Sequence, residues 1–269
     1  MTPELEALKS KLKATWSAGD FGQIAKATAS GAEDFIRRLN LRPGMKTLDV
    51  ACGSGNLALP AARLGASVTG VDIAPNLIKQ ARENAEREGL QVHFDEGDAE
   101  ALPYEDASFD AVLTMFGAMF APRPELVAAE LKRVCRSGGF VAMANWTPAG
   151  FVGRMFKTVS GYVPPPPGMP APVLWGVPAT VHERLAEGFS TLATTERTIT
   201  FKFPFPPAEV VEHFRRYFGP VQKAFGALDE SGQVALRRDL EQLWAGNNRA
   251  TDGTTLGESQ YLEVIAIRG

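Results

Sequence analysis

Between Thr47 and Asn56 the chain reads Thr-Leu-Asp-Val-Ala-Cys-Gly-Ser-Gly-Asn, an apolar run carrying an acid, then a glycine turn, then a residue able to open a helix. Glycine reverses a backbone tightly and lets a ligand come close to it. A second apolar run, Ser67 to Val71, ends on Asp72, 23 positions after Asp49. If the two runs are strands of a doubly wound sheet, both carboxylates reach its carboxyl edge, beside the crevice where ligands bind. Asp72 is then placed to accept hydrogen bonds from the two hydroxyls of a ribose. Taken singly, each feature has a structural explanation, because Gly-x-Gly is a common turn and an Asp after a strand often caps a helix. Gly53, Gly55 and Ala58 also satisfy a Gly-x-Gly-x-x-Gly/Ala fingerprint with an acid about 20 residues on, so a nicotinamide or flavin dinucleotide is a second reading.

The elements that must hold these residues follow from periodicity. Pro3 to Ala18 and Ile24 to Leu39 carry apolar residues at helical spacing, separated by the turn Gly19-Asp20. Beyond the turn signal Arg42-Pro43-Gly44, strands are expected at Thr47 to Ala51, Ser67 to Val71, Gln91 to Glu96, Ala111 to Met115 and Phe140 to Ala144. Helices are expected at Asn56 to Leu64, Pro75 to Glu88 and Glu125 to Cys135. Such alternation is solved as a mostly parallel sheet with helices on both faces. After Trp146 come a helix over Ala149 to Val159, a proline-crowded loop from Val163 to Pro172, a helix over Ala179 to Gly188 and a strand over Thr194 to Phe203. Helices over Pro207 to Phe218 and Glu230 to Ala245 lead to a last strand, Gln260 to Ile267, that completes the sheet. The expected fold is an α/β, Rossmann-like, doubly wound sheet of seven strands, mostly parallel with an antiparallel last strand. One domain spans 1–269: an N-terminal helical cap (1–42), a ligand-binding core (43–146), a substrate-side insertion after the fifth strand (147–190) and C-terminal strands and helices (191–269).

In these residues the chain resembles the class I S-adenosylmethionine-dependent methyltransferases, specifically the type 11 group similar to the ubiquinone and menaquinone biosynthesis enzymes. The resemblance covers about residues 45 to 146 and is carried by LDVACGSGNLALPAA, VTGVDIAPNLIKQAR, EGDAEALPYEDASFD, AVLTMFGAMFAP and ELKRVCRSGGFVAMANW. Ala51 stands where this group often has glycine, a departure of one methyl. The resemblance implies S-adenosylmethionine as cofactor, leaving as S-adenosylhomocysteine. Asp49, Ala51, Gly53, Gly55 and Asn56 would border its methionine, Asp72 would bind the ribose, and Ile73 would pack on the adenine. The Asp98 carboxylate would accept from the exocyclic amine and the Ala99 amide would donate to a ring nitrogen. Met115 and Phe116 would wall the sulfonium, a soft cation that aromatic faces stabilise without offering a nucleophile. Trp16 and Phe21 belong to helices that in related enzymes fold over the cofactor. For the aromatic residues core packing is an equal reading. The expected reaction is in-line transfer of methyl to a small apolar or planar molecule, with a dinucleotide oxidoreductase or a non-catalytic cofactor-binding module as alternatives.

Catalysis of such a displacement can rest on near-attack geometry and exclusion of water. A base is therefore optional, and of His93, His182 and His213 only His182, after the proline loop, is a weak candidate. The acceptor is expected to meet the segment from Trp146 to Leu185, with Phe151, Met155, Phe156, Tyr162, Met169, Leu174 and Trp175. A formal charge of −3 in 269 residues, 22% of them charged, supplies neither a nucleic-acid footprint nor a polybasic membrane patch. Two cysteines suit a reducing, cytoplasmic setting and are too few for a four-thiolate metal site, so no metal is expected. The oligomeric state is left open by the sequence.

Overall fold

The structure is a computed structural model and describes residues 3–269. Five strands, β1 (Lys46–Val50), β2 (Ser67–Asp72), β3 (Val92–Glu96), β4 (Phe109–Met115) and β5 (Cys135–Trp146), run parallel. A hairpin of β6 (Phe189–Phe203) and β7 (Thr255–Arg268) extends the sheet, with β7 antiparallel to both its neighbours. The order is β3-β2-β1-β4-β5-β7-β6, and the seven strands, mostly parallel with an antiparallel last one, agree with the expected fold class. Leu48, Val50, Val112, Leu113 and the run from Val141 to Ala144 are sealed from solvent, the signature of central parallel strands covered on both faces. Strand order reverses between β1 and β4, which opens a crevice above their carboxyl ends.

Helices α1 (Pro3–Ala18), α2 (Phe21–Ala25) and α3 (Ala29–Arg38) precede β1, α4 (Ala58–Arg63) and α5 (Pro75–Arg87) flank β2, and α6 (Pro124–Val134) leads into β5. The cap expected over residues 1–42 is thus described from residue 3. Its second helix is not continuous: a 3-10 turn at Lys26–Thr28 separates α2 from α3. Thr28, with φ −122°, leaves helical geometry there, and Gly31 then admits the Ile199 side chain, whose Cδ1 lies 2.3 Å from where a Cβ would stand. Past β5 come α7 (Phe151–Tyr162), a 3-10 turn at Pro172–Gly176, α8 (Pro178–Arg184), α9 (Pro207–Tyr217), α10 (Gly219–Gly226) and α11 (Glu230–Asn247). The short α10 is unexpected because Gly-Pro reads as a turn; a proline in the first helical turn lacks only an amide hydrogen the helix does not use there.

Several strands outrun their expected lengths, β5 from Cys135, β6 from Phe189 and β7 from Thr255. Segments such as Gly257 to Ser259 have little intrinsic strand preference and are held by pairing with Ile199 to Phe201 across the hairpin. The cap is tied to that hairpin by Arg38, whose Nη2 donates to Glu263 Oε2 (2.6 Å) and to the Tyr261 hydroxyl (2.8 Å), while Arg197 Nε donates to Glu263 Oε1 (2.7 Å). The insertion packs inward, with Phe151 edge-on to Trp244 at 4.5 Å and Trp175 buried.

The turn at Pro172–Gly176 sits directly on the end of β5: a Cβ on Gly176 would stand 2.1 Å from the Trp146 carbonyl oxygen. Neither backbone can yield cheaply, so Gly176→Ala is expected to cost about 1–3 kcal/mol. Urea unfolding checks this, and an unchanged midpoint would mean that the turn does not clamp the strand.

Candidate active site

The glycine turn follows β1 through three consecutive reversals: Ala51 (φ 56°), Gly53 (φ 56°) and Gly55 (φ 95°) all lie in the left-handed region. An alanine there costs about 1–2 kcal/mol relative to its ordinary conformation, so the shape is imposed by its surroundings. Those surroundings are two carboxylates. Asp49, almost wholly buried, takes the Ala58 N–H on Oδ2 at 3.0 Å, which anchors the start of α4. Asp72 Oδ2 accepts from the Gly53 N–H at 2.9 Å and its Oδ1 from the Ala74 N–H at 2.8 Å. Removal from water pushes the Asp49 carboxyl up to about 8, against the opposing pull of Ala58 and reinforced by the charge of Asp72. Burial raises Asp72 in the same direction, with Ala74 and Gly53 opposing. Burial thus disfavours the charged form at both positions, and a cation arriving in the site would oppose that shift.

One cavity opens over this turn and holds about 1140 Å³ of non-protein space, its mouth included. Asp49, Ala51, Gly53, Asn56, Asp72, Ile73, Asp98, Ala99, Met115, Phe116, Trp16 and Phe21 all line it. Gly55 does not: a Cβ there would stand 3.1 Å from Leu59 Cγ and 3.6 Å from Phe94, so this glycine turns the chain behind the wall. Phe21 closes over the turn, with Cδ1 3.6 Å from where a Gly53 Cβ would be. Phe120, at the end of the segment expected beside the sulfonium, also lines the cavity, as do Lys9, Leu12, Thr28 and Ala32, which the sequence left unassigned. Lys9, Leu12 and Trp16 share one face of α1 at i, i+3 and i+7, the signal that could have grouped them.

Asp98 is not a free acceptor. Its Oδ2 is ion-paired with Lys9 Nζ and its Oδ1 accepts from the Glu100 N–H at 2.9 Å. Lone pairs remain on both oxygens, so an amine can be added beside Lys9 but not in its place. At the other end Phe116 holds φ 61°, unusual for a bulky residue. Its ring lies flat on Trp146, centroids 3.5 Å apart and planes 7° apart, and meets Tyr261 edge-on. Gly117 allows this bend, since a Cβ on it would stand 2.5 Å from Ala51 Cβ.

No histidine lines the cavity. His182 is exposed on α8, His93 pairs with Asp95 at 2.9 Å, and His213 Nε2 lies 3.3 Å from the Gln23 carbonyl oxygen. The structure does not bring the candidate base to the site. Nor does any residue of 147–190 line the wall: Phe151, Met155 and Trp175 are buried in the core, and Phe156 meets Phe120 edge-on from behind. Among the described residues no group of three His, Cys, Asp or Glu could hold a metal, and no helix is long and apolar enough to cross a membrane. Both cysteines are free and buried.

Comparison with known proteins places this geometry. A model of the methyltransferase domain matches residues 48–143. An uncharacterised protein of Mycobacterium tuberculosis is 36% identical over 242 residues, covering 89% of this chain and 88% of that protein. Phosphatidylethanolamine N-methyltransferase of Cereibacter sphaeroides is 35% identical over 144 residues, 53% of this chain and 69% of that enzyme. Phosphoethanolamine N-methyltransferase 2 of Haemonchus contortus, solved with phosphomonomethylethanolamine and S-adenosylhomocysteine, superposes with a TM-score of 0.58 at 17% identity over 93% of this chain and 58% of that one.

The buried acid at the end of β1 makes a checkable claim about the ligand-free protein. Because the folded state raises its pKa, Asp49 stabilises fully below the ordinary carboxylate value and loses that contribution as pH rises through about 8. Asn keeps an acceptor for the Ala58 N–H and cannot ionise. Asp49→Asn is therefore expected to gain stability on the wild type between pH 5 and pH 9 in urea unfolding, whereas a pH-independent difference would show that Asp49 is ionised throughout.

Proposed function

The chain belongs to the S-adenosylmethionine-dependent methyltransferase family, and from that premise we propose that it methylates a small, neutral, apolar or planar molecule inside the cavity under α1, α2 and α3. The bound cofactor supplies a methyl group on a sulfonium, open to in-line displacement. The residues present suit it: acids with raised pKa await a cation, and the glycine turn is a cradle that a side chain would fill. In this reading Asp72 accepts from the ribose hydroxyls with the lone pairs not used by Gly53 and Ala74. Ile73 packs on the adenine, and Asp98 and Ala99 take its edge. Asp49, Ala51, Gly53 and Asn56 border the methionine, whose ammonium favours the ionised form of Asp49. Met115 and Phe116 wall the reacting end while Trp16 and Phe21 exclude water, which strengthens every charge interaction inside.

The observation that carries the acceptor class is the chemistry of the wall beyond the acids. Trp16, Phe21, Phe116 and Phe120 supply rings, Ala25, Ala32, Ala118 and Ala121 supply methyls, and the Thr28 hydroxyl is engaged by the Ala25 carbonyl. Lys9, the one ammonium among the described residues that line the cavity, is paired with two carboxylates. A phosphate or carboxylate on the acceptor would want charge-assisted donors that this wall lacks. With no imidazole present, deprotonation is left to the acceptor's own acidity, and the chain contributes orientation and dryness. The dinucleotide reading falls away with the family assignment. The two free cysteines fit the cytoplasmic setting proposed for the enzyme.

Transfer of labelled methyl to a panel of neutral phenols, enols and heteroaromatics, set against phosphate-bearing amines, tests the acceptor class; label appearing only on the charged set would overturn it. Calorimetry with S-adenosylhomocysteine tests the ribose assignment: Asp72→Ala is expected to weaken binding by about 1–3 kcal/mol through loss of hydrogen bonds to a charged group.

A further inference from the structure

Helix α1 covers the cavity without burying a single residue of its own. Leu8, Leu12 and Trp16 are only half-buried, and the packing of α1 is concentrated at its C-terminal end, where Trp16 meets Phe21, Phe120 and Phe218 and Thr15 lies close on Gly219 of α10. Two ammoniums one turn apart, Lys9 and Lys13, reach across to the end of β3 and the loop beyond it. They differ in setting. Lys13 and Glu96 are both about half exposed, and pairs of that kind contribute little. Lys9 is sunk to 12% exposure, paired with Asp98 and 2.6 Å from Glu100 Oε2, and the Glu100 side chain is fully buried. Glu100 is held in turn by Arg123, whose backbone N–H donates to Oε1 at 2.7 Å and whose Nε donates to Oε2 at 2.8 Å. One carboxylate thus joins α1, the loop after β3 and the start of α6. Lys9 also lines the cavity beside Asp98 and Ala99.

We propose that Lys9 is the cofactor-retaining residue: its ion pairs to Asp98 and Glu100 latch α1 over the nucleoside end of the cavity, and the cofactor enters and leaves only as this latch opens. The inference rests on the reading that puts the nucleoside against Asp98 and Ala99. Lys9 touches the same carboxylate that reading assigns to the adenine, so occupancy and closure share one group. Opening separates charges from a poorly solvated site into water, where salt stabilises the separated state. Dissociation should therefore speed up with ionic strength although the closed pair itself is shielded.

The probe is S-adenosylhomocysteine, with tryptophan fluorescence as the signal because Trp16 stands in the wall. In stopped-flow displacement the wild-type dissociation rate is expected to rise between about 0.05 and 1 M salt. Lys9→Met is expected to raise the rate at low salt by at least about tenfold and to flatten the salt dependence. Lys9→Arg should restore most of both, and Lys13→Met should behave as wild type. Should Lys9→Met fold poorly with Glu100 left charged, the double variant Lys9→Met with Glu100→Gln removes the stranded charge and is expected to release the ligand as fast. Wild-type rates for Lys9→Met, or a wild-type rate indifferent to salt, would overturn the latch alone. Absence of any calorimetric heat from the wild type with S-adenosylhomocysteine would overturn the cofactor reading and the latch with it.

Discussion

Two carboxylates on the adjacent strands β1 and β2, Asp49 near the end of one and Asp72 at the end of the other, are taken out of water and kept there by backbone amides. Asp49 anchors α4, and Asp72 joins the glycine turn to the start of the α5 segment. Burying acids is expensive unless they are hydrogen-bonded, and here backbone amides bond both while burial raises both pKa values. This arrangement is what holds Ala51 in a conformation alanine disfavours, and Ala51 in turn leaves room only for glycine at 117. The bend at Phe116 and its stack on Trp146 follow. The shape of the wall thus propagates from β2 to β1 to β4 to β5 through a series of close contacts, with the acids at its origin.

The other side of the cavity is built differently. Helices α1 to α3 are joined to the sheet by charge at both ends, Lys9 to the loop after β3 and Arg38 to Glu263 on β7. Between those ends lie aromatic contacts of Trp16 with Phe21, Phe120 and Phe218. A cover made this way can lift at its first helix while remaining anchored through α3. The insertion after β5 supports this frame from behind: Phe156 backs Phe120, and the turn ending at Gly176 presses on the end of β5.

The acids and glycines were legible in the sequence because their chemistry is local: spacing, strand period and turn propensity place them without knowledge of distant partners. The parallel core was legible for the same reason, its strands being short stretches rich in Val, Leu, Ala and Phe. Strand ends were not, since Gly257 to Ser259 are extended only by virtue of the hairpin partner. Periodicity marked α1 as amphipathic but could not say that Lys9 lies on the inner face; that depends on Asp98 and Glu100, some ninety residues away. The aromatic insertion reads as an acceptor-binding segment in the sequence, but a packed satellite core uses the same residue types, and burial of Phe151, Met155 and Trp175 favours packing. His182 stood out by position alone, with no spacing to a partner that could have placed it.

Among the described residues, every one that lines the cavity falls between Lys9 and Pro122. The remaining half of the chain contributes the hairpin, the buried aromatic cluster around Trp244 and helices α7 to α11, yet no wall. The recognition surface and the ballast that stabilises it are therefore written in separate stretches of the gene product. Divergence among relatives could reshape substrate choice through a handful of changes in α1 to α3 or after β4, leaving the C-terminal half free to drift under selection for stability alone.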